Sequence, residues 1–91
     1  MGQIKNSKKA DAVGNLYRVA LFLAQGNRNL AKSFLEKSAT ILKNEELGDL
    51  VKVLNNFDQE FTSVEKEKYW AEIALDQYKK LMFSLGNLPG S

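Results

Sequence analysis

The sequence predicts an all-α protein, a small antiparallel bundle of four helices running up, down, up and down. Three observations carry this reading. Apolar residues recur at intervals of three and four through four successive segments, the spacing that places them on one side of a helix. Proline is absent until Pro89, so nothing interrupts those segments. No stretch shows the strict alternation that marks a half-buried strand. Short connections between the segments favour antiparallel neighbours. A three-helix bundle in which the third segment is merely a loop is the alternative. Residues 1–8 are expected to form a flexible basic tail, residues 9–86 a single helical domain, and residues 87–91 a flexible tail or linker.

The first helix is expected from about Lys9 to Gln25. Ala12, Val13, Leu16, Tyr17, Ala20, Leu23 and Ala24 share one face, and Val19 and Leu21 widen it. Only a narrow polar strip of Asp11, Asn15, Arg18 and Gln25 remains, so this helix should be the most buried. Gly26 supplies a left-handed stop. Asn27 or Asn29 caps the second helix, which runs to about Lys43 on a stripe of Leu30, Ala31, Phe34, Leu35, Ser38, Ile41 and Leu42. Ala31 and Ser38 are small and let a neighbouring helix come close.

The third helix is short, about Glu45 to Phe57, with Asn44 as its cap and Leu47, Leu50, Val51, Leu54 and Phe57 in register. Glu45, Glu46 and Asp49 suit the positive end of its dipole. The fourth begins at Thr62-Ser63-Val64-Glu65, which fits a capping box. Its core face gathers Val64, Trp70, Ala71, Ala74, Leu75, Tyr78, Leu81, Met82 and Leu85, and Gly86 ends it.

Around the first turn, Gln25-Gly26-Asn27 followed by Ala31, Phe34, Lys37 and Ser38 resembles the helical hairpin of tetratricopeptide repeats. The same stretch looks like the front of a microtubule-interacting-and-transport domain. The resemblance covers about residues 13–43. Asn15 and Val19 stand where the repeat has a large residue and a glycine, and Lys43 replaces its closing proline. What the resemblance implies is peptide or helix binding without catalysis.

Composition narrows the chemistry. The chain of 91 residues contains no Cys and no His, so disulfides and the usual zinc and imidazole acid–base sites are excluded. A chain of this size buries only about 60–65% of its unfolded surface, so its packing has to be good. Its longest apolar run, Val19 to Ala24, is far too short to span a bilayer. Met1-Gly2 opens a myristoylation-like pattern, but Asn6 occupies the required Ser/Thr position and Ser7 comes one place late. Ser63-Val64-Glu65-Lys66 matches Ser-x-x-Lys, yet the helix cap accounts for it and the partner motifs of acyl-transfer enzymes are missing. Glu65, Glu67, Glu72 and Asp76 interleave with Lys66, Lys68, Lys79 and Lys80 as on a solvated helix face. No enzyme and no cofactor is expected, and a cytoplasmic setting is.

The charges divide unevenly. Residues 1–43 hold eight basic residues against Asp11 and Glu36, while residues 44–91 hold nine acids against five lysines. A basic hairpin thus precedes an acidic one, and the two can pair within one molecule or between molecules. The expected function is a non-catalytic module for protein–protein interaction or self-association. Tyr69 and Ile73, one turn apart and opposite the core stripe, are its candidate apolar anchor. Lys32 and Lys43 are its candidate basic patch. The competing expectation is a small nucleic-acid-associated protein that neutralises phosphates with Lys5, Lys8, Lys9 and Arg28. Phe22 and Lys32 do not fit a helix-turn-helix, and the basic residues lack aromatic platforms among them.

Overall fold

In the computed structural model, which describes the backbone of residues 2–86 and the side chains of residues 8–84, every regular element is helical. Three long helices, α1 (Gly2–Ala24), α2 (Arg28–Ala39) and α6 (Val64–Gly86), are joined by a leg of three short ones. These are α3 (Asn44–Leu47), α4 (Leu50–Asn55) and α5 (Phe57–Glu60). The expected path is present. Phe22 stacks on Phe34 at 5.5 Å and the Ser38 hydroxyl meets the Ala12 carbonyl, so α2 descends beside α1. Glu46 pairs with Lys9 near the start of α1, while Lys32, near the start of α2, lies over the Phe57 ring. The short leg therefore climbs back up, and α6 descends, with Tyr78 beside Tyr17 at 5.3 Å.

The core sits where the four legs meet. Val13, Leu16 and Leu23 from α1, Ala31 and Leu35 from α2, Leu47, Leu50 and Val53 from the short leg, and Trp70 and Ala74 from α6 are all buried. Ala31 and Ser38 are wholly buried, as the close approach of α2 to α1 requires. The Ser38 Oγ–H donates to the Ala12 carbonyl at 2.7 Å, a buried bond that ties the two helices together. Phe61, in the coil before α6 and outside every expected stripe, is 1% exposed and packs on Phe57 at 4.4 Å.

Local chemistry sets the turns. Gly26 has φ +77, and the N–H groups of Gly26 and Asn27 donate to the Leu23 and Phe22 carbonyls. That paired pattern closes α1. The Asn27 side chain then accepts from the Leu30 N–H and starts α2.

Several expectations need correction. α1 starts at Gly2 rather than near Lys9, so the segment expected as a basic tail continues the helix. The expected tail at 87–91 lies outside the described residues. α2 ends at Ala39, short of Lys43, and the Thr40 hydroxyl caps the Lys37 carbonyl there. The third helix is not continuous. Gly48 at φ +59 and ψ −130 breaks it once, and Asn56 at φ −135 and ψ 46 breaks it again. The Gln77 side-chain amide of α6 takes the Glu46 carbonyl, which satisfies a group that a longer helix would have used.

Lys43, not Asn44, precedes α3, and its N–H donates to the Glu46 carboxylate at 3.0 Å. The α6 cap also shifts by one residue. Ser63 Oγ accepts from the Lys66 N–H at 3.2 Å, so the Thr62–Glu65 box is not the one used. Among expected core residues, Leu30, Ile41, Val64, Tyr17, Leu21, Ala24 and Met82 are exposed, and the Leu85 side chain lies outside the described residues. Leu30 and Val64 fall in the first turns of their helices, and Ile41 follows the end of α2, so no neighbouring leg covers them.

Candidate functional site

The two longest helices leave an open apolar groove between them. α1 contributes Tyr17, Leu21 and Ala24 at steps of four and three, a spacing that puts them in one row. Lys68, Ala71, Glu72 and Leu75 form the matching row on α6. The floor is Ala20 and Ala71, both nearly buried, and their small side chains leave room above the helix contact. Tyr17 and Leu21 are 47% and 42% exposed, although they belong to the apolar face of α1.

The groove encloses about 400 Å³ and runs on into a second hollow of about 360 Å³ that shares Tyr17 and Leu21. Gly14, Ala10 and Tyr78 line that continuation, where the missing side chain of Gly14 widens it. Together they follow some fifteen residues of α1, or roughly 20 Å at 1.5 Å per residue. Charges stand only on the margins, as Asp11 and Arg18 on α1 and Lys68 and Glu72 on α6. A trough of this length with an apolar floor and charged edges accepts the apolar stripe of a helix.

The residues expected from sequence are dispersed by the fold. Tyr69 is 54% exposed with its ring edge-on to Trp70 at 5.2 Å. Ile73 is half-buried against the core, so the pair does not form one exposed anchor. Tyr69 instead borders a polar hollow of about 530 Å³ with Asp49, Lys52, Glu60 and Ser63. Trp70 Nε1 is buried without a hydrogen-bond partner next to that hollow.

Lys32 and Lys43 do not form a patch. Lys32 is half-buried with its Nζ 5.8 Å from the centre of the Phe57 ring, at the upper end of the short leg. Lys43 is exposed at the lower end, ahead of α3.

The proposed phosphate-neutralising set is likewise divided. Lys9 Nζ pairs with Glu46 at 2.6 Å, and Arg28 Nε pairs with the nearly buried Glu67 carboxylate at 2.6 Å, at opposite ends of α1. Lys8 is exposed, and the Lys5 side chain lies outside the described residues. Glu46 has its carboxyl held below the ordinary carboxylate range, first by the Lys43 backbone N–H and then by the Lys9 ammonium.

Among the described residues no group of three His, Cys, Asp or Glu is placed to hold a metal ion. No described helix is long and apolar enough to cross a membrane. Compared with known proteins, the chain matches no family model, no curated protein and no solved structure. Its chemistry has to be read from its own surface. The signal for the groove was present in the sequence, in the wide apolar face of α1 from Ala12 to Ala24. A helix in a corner of a four-leg bundle meets two neighbours, and α1 carries more apolar surface than two neighbours cover.

Proposed function

We propose that the chain is a non-catalytic helical interaction module that receives an amphipathic helix in the groove between α1 and α6. The observation that carries this reading is the row of Tyr17, Leu21, Ala71 and Leu75, an apolar trough left open along the two longest helices. The partner supplies apolar residues at successive turns, and Lys68 and Glu72 select its orientation by charge at the margin. The partial resemblance of residues 13–43 to a tetratricopeptide-repeat or microtubule-interacting-and-transport hairpin implies the same class of partner. The reading includes a cytoplasmic setting, which suits a cysteine-free chain.

The test is selection of helical peptides from a displayed library, followed by mapping of the bound surface by NMR shift changes. Enriched peptides should carry an apolar stripe of helical period, and the shifts should centre on Tyr17, Leu21 and Leu75. Leu21→Asp should abolish binding with helicity intact, while Tyr69→Ser should leave it unchanged. Shifts centred on Tyr69, or sequences without a stripe, would overturn the proposal.

A further inference from the structure

We infer that the open face along α1 and α6 pairs with the same face of a second copy of this chain, across a two-fold axis running along the helices. That pairing rests on the groove reading above and names the occupant: α1 of one copy lies over α6 of the other. α1 steps through Ala10, Gly14, Tyr17, Leu21 and Ala24, and α6 through Val64, Lys68, Ala71, Leu75, Tyr78 and Met82. Both rows keep the alternating steps of four and three that hold a seam toward a partner helix. Tyr17, Leu21, Val64 and Met82 are half of the exposed large apolar residues described, and all four stand in these rows.

The two rows match each other in size. In the register of the two hollows, Ala24 stands level with Lys68, Leu21 with Ala71, Tyr17 with Leu75 and Gly14 with Tyr78, and one step on Ala10 meets Met82. A small residue therefore faces a large or long one at every level but the central one. A two-fold axis along the groove exchanges the rows, so each α1 row meets the α6 row of the second copy with the same pairing. Gly14 leaves open space there, since a Cβ at that position would meet no atom within 4 Å.

The charges match in the same way. Bordering the rows are Asp11 and Arg18 on α1 and Glu65, Lys68, Glu72 and Lys79 on α6, with Asp76 and Lys80 behind them, all exposed. Asp11 is level with Lys79 and Lys80, and Arg18 with Glu72 and Asp76, so both levels carry opposite signs on the two helices. Lys68 and Glu65 stand level with the neutral Gln25. Neither of the two ion pairs among the described residues uses any of these side chains, and Arg18 Nη1 donates to the neutral Asn15. The match is therefore unused within one chain, and a second copy uses it twice. An axis set across the helices would instead bring Arg18 onto Arg18 of the second copy, which like-charge repulsion disfavours. A foreign helix would need neither match. The rows run about 21 and 27 Å and are together about 20 Å wide, roughly 500 Å² per copy. That is the low end of specific interfaces, so the dimer is expected to be reversible and micromolar.

The experiment is sedimentation equilibrium of the full chain from micromolar to millimolar concentration. The mass should rise from monomer toward dimer and no further, because a two-fold interface closes on itself. Leu21→Asp, with helicity checked by circular dichroism, should leave only monomer. Arg18→Glu and Glu72→Arg should each raise the dissociation constant about tenfold, since every contact occurs twice in the dimer. Combining the two reversals should return it to within about threefold of the parent. A chain that stays monomeric up to millimolar concentration overturns the inference, as does assembly beyond the dimer. Single reversals without effect, or a double variant no better than the singles, overturn it too. So does a dimer that Leu21→Asp leaves intact. A monomer that still binds stripe-bearing library peptides at Tyr17 and Leu21 removes the second copy as occupant and leaves the groove reading standing. The groove reading itself falls only if those peptides bind elsewhere or lack the stripe.

Discussion

The Arg28–Glu67 pair ties the start of α2 to the start of α6, and its two members should be unequal in a stability measurement. The Glu67 side chain is 7% exposed and that of Arg28 is 43% exposed, with Nε 2.6 Å from the carboxylate. Arg28→Met leaves a nearly buried carboxylate without its cation. Breaking a fully buried pair costs about 3–5 kcal/mol. Solvent screening at the half-exposed guanidinium reduces that to about 2 kcal/mol. Glu67→Gln leaves a cation that turns into water and an amide of the same shape, so its loss should be about 1 kcal/mol.

For a domain of this size, those losses correspond to melting temperatures lowered by about 8–16 °C and about 4–8 °C. Urea denaturation followed by far-UV circular dichroism gives both values, and the double variant closes the cycle with a coupling of about 1 kcal/mol. Equal losses for the two single variants would refute the reasoning, as would a coupling below about 0.3 kcal/mol, because either result would mean that Glu67 is effectively solvated.

Gly14 lies within α1, and a Cβ built there meets no atom within 4 Å, so Gly14→Ala should stabilise by about 0.5–1 kcal/mol in the same denaturation assay. Gly48→Ala should do the reverse, losing about 1–3 kcal/mol, since φ is +59 and the new Cβ would come within 3.4 Å of Gln77 Oε1. Glu46 sets a pH dependence. Its carboxyl titrates lower in the folded chain than its ordinary 4.5, so the folded state holds fewer protons there than the unfolded state. The contribution is present above pH 4.5 and is lost as pH falls through the lowered value. Glu46→Gln should therefore flatten the acid limb of a stability–pH curve below 4.5, and an unchanged limb would count against the Lys43 and Lys9 contacts.

What could be read from the sequence follows from the range of each interaction. The Gly26 stop, the Asn27 cap and the small residues Ala31 and Ser38 are local or depend on a single neighbour, and each behaves as expected. The third helix failed because its pattern is local while its breaks are not. Leu47, Leu50 and Phe57 keep helical spacing and are buried, yet Gln77, thirty-one residues away from Glu46, supplies the bond that lets the chain turn at Gly48. The α6 cap moved because Thr62 and Ser63 are both good caps, and sequence cannot rank neighbours that differ by one register step.

The candidate site was harder still. Helical position distinguished Tyr69 and Ile73 from the core stripe, but it could not say that the core would reach round to half-bury Ile73. Conversely, Tyr17 and Leu21 read as core because a wheel shows which side is apolar and not how many neighbours arrive to cover it.

The charge division changes meaning in three dimensions. Both ion pairs among the described residues join a base from the first half to an acid from the second, Lys9 to Glu46 at one end of α1 and Arg28 to Glu67 at the other. Opposite charges in the two hairpins thus act as clamps at the ends of the bundle, where fraying of a small core begins. The clamps use only part of the basic excess.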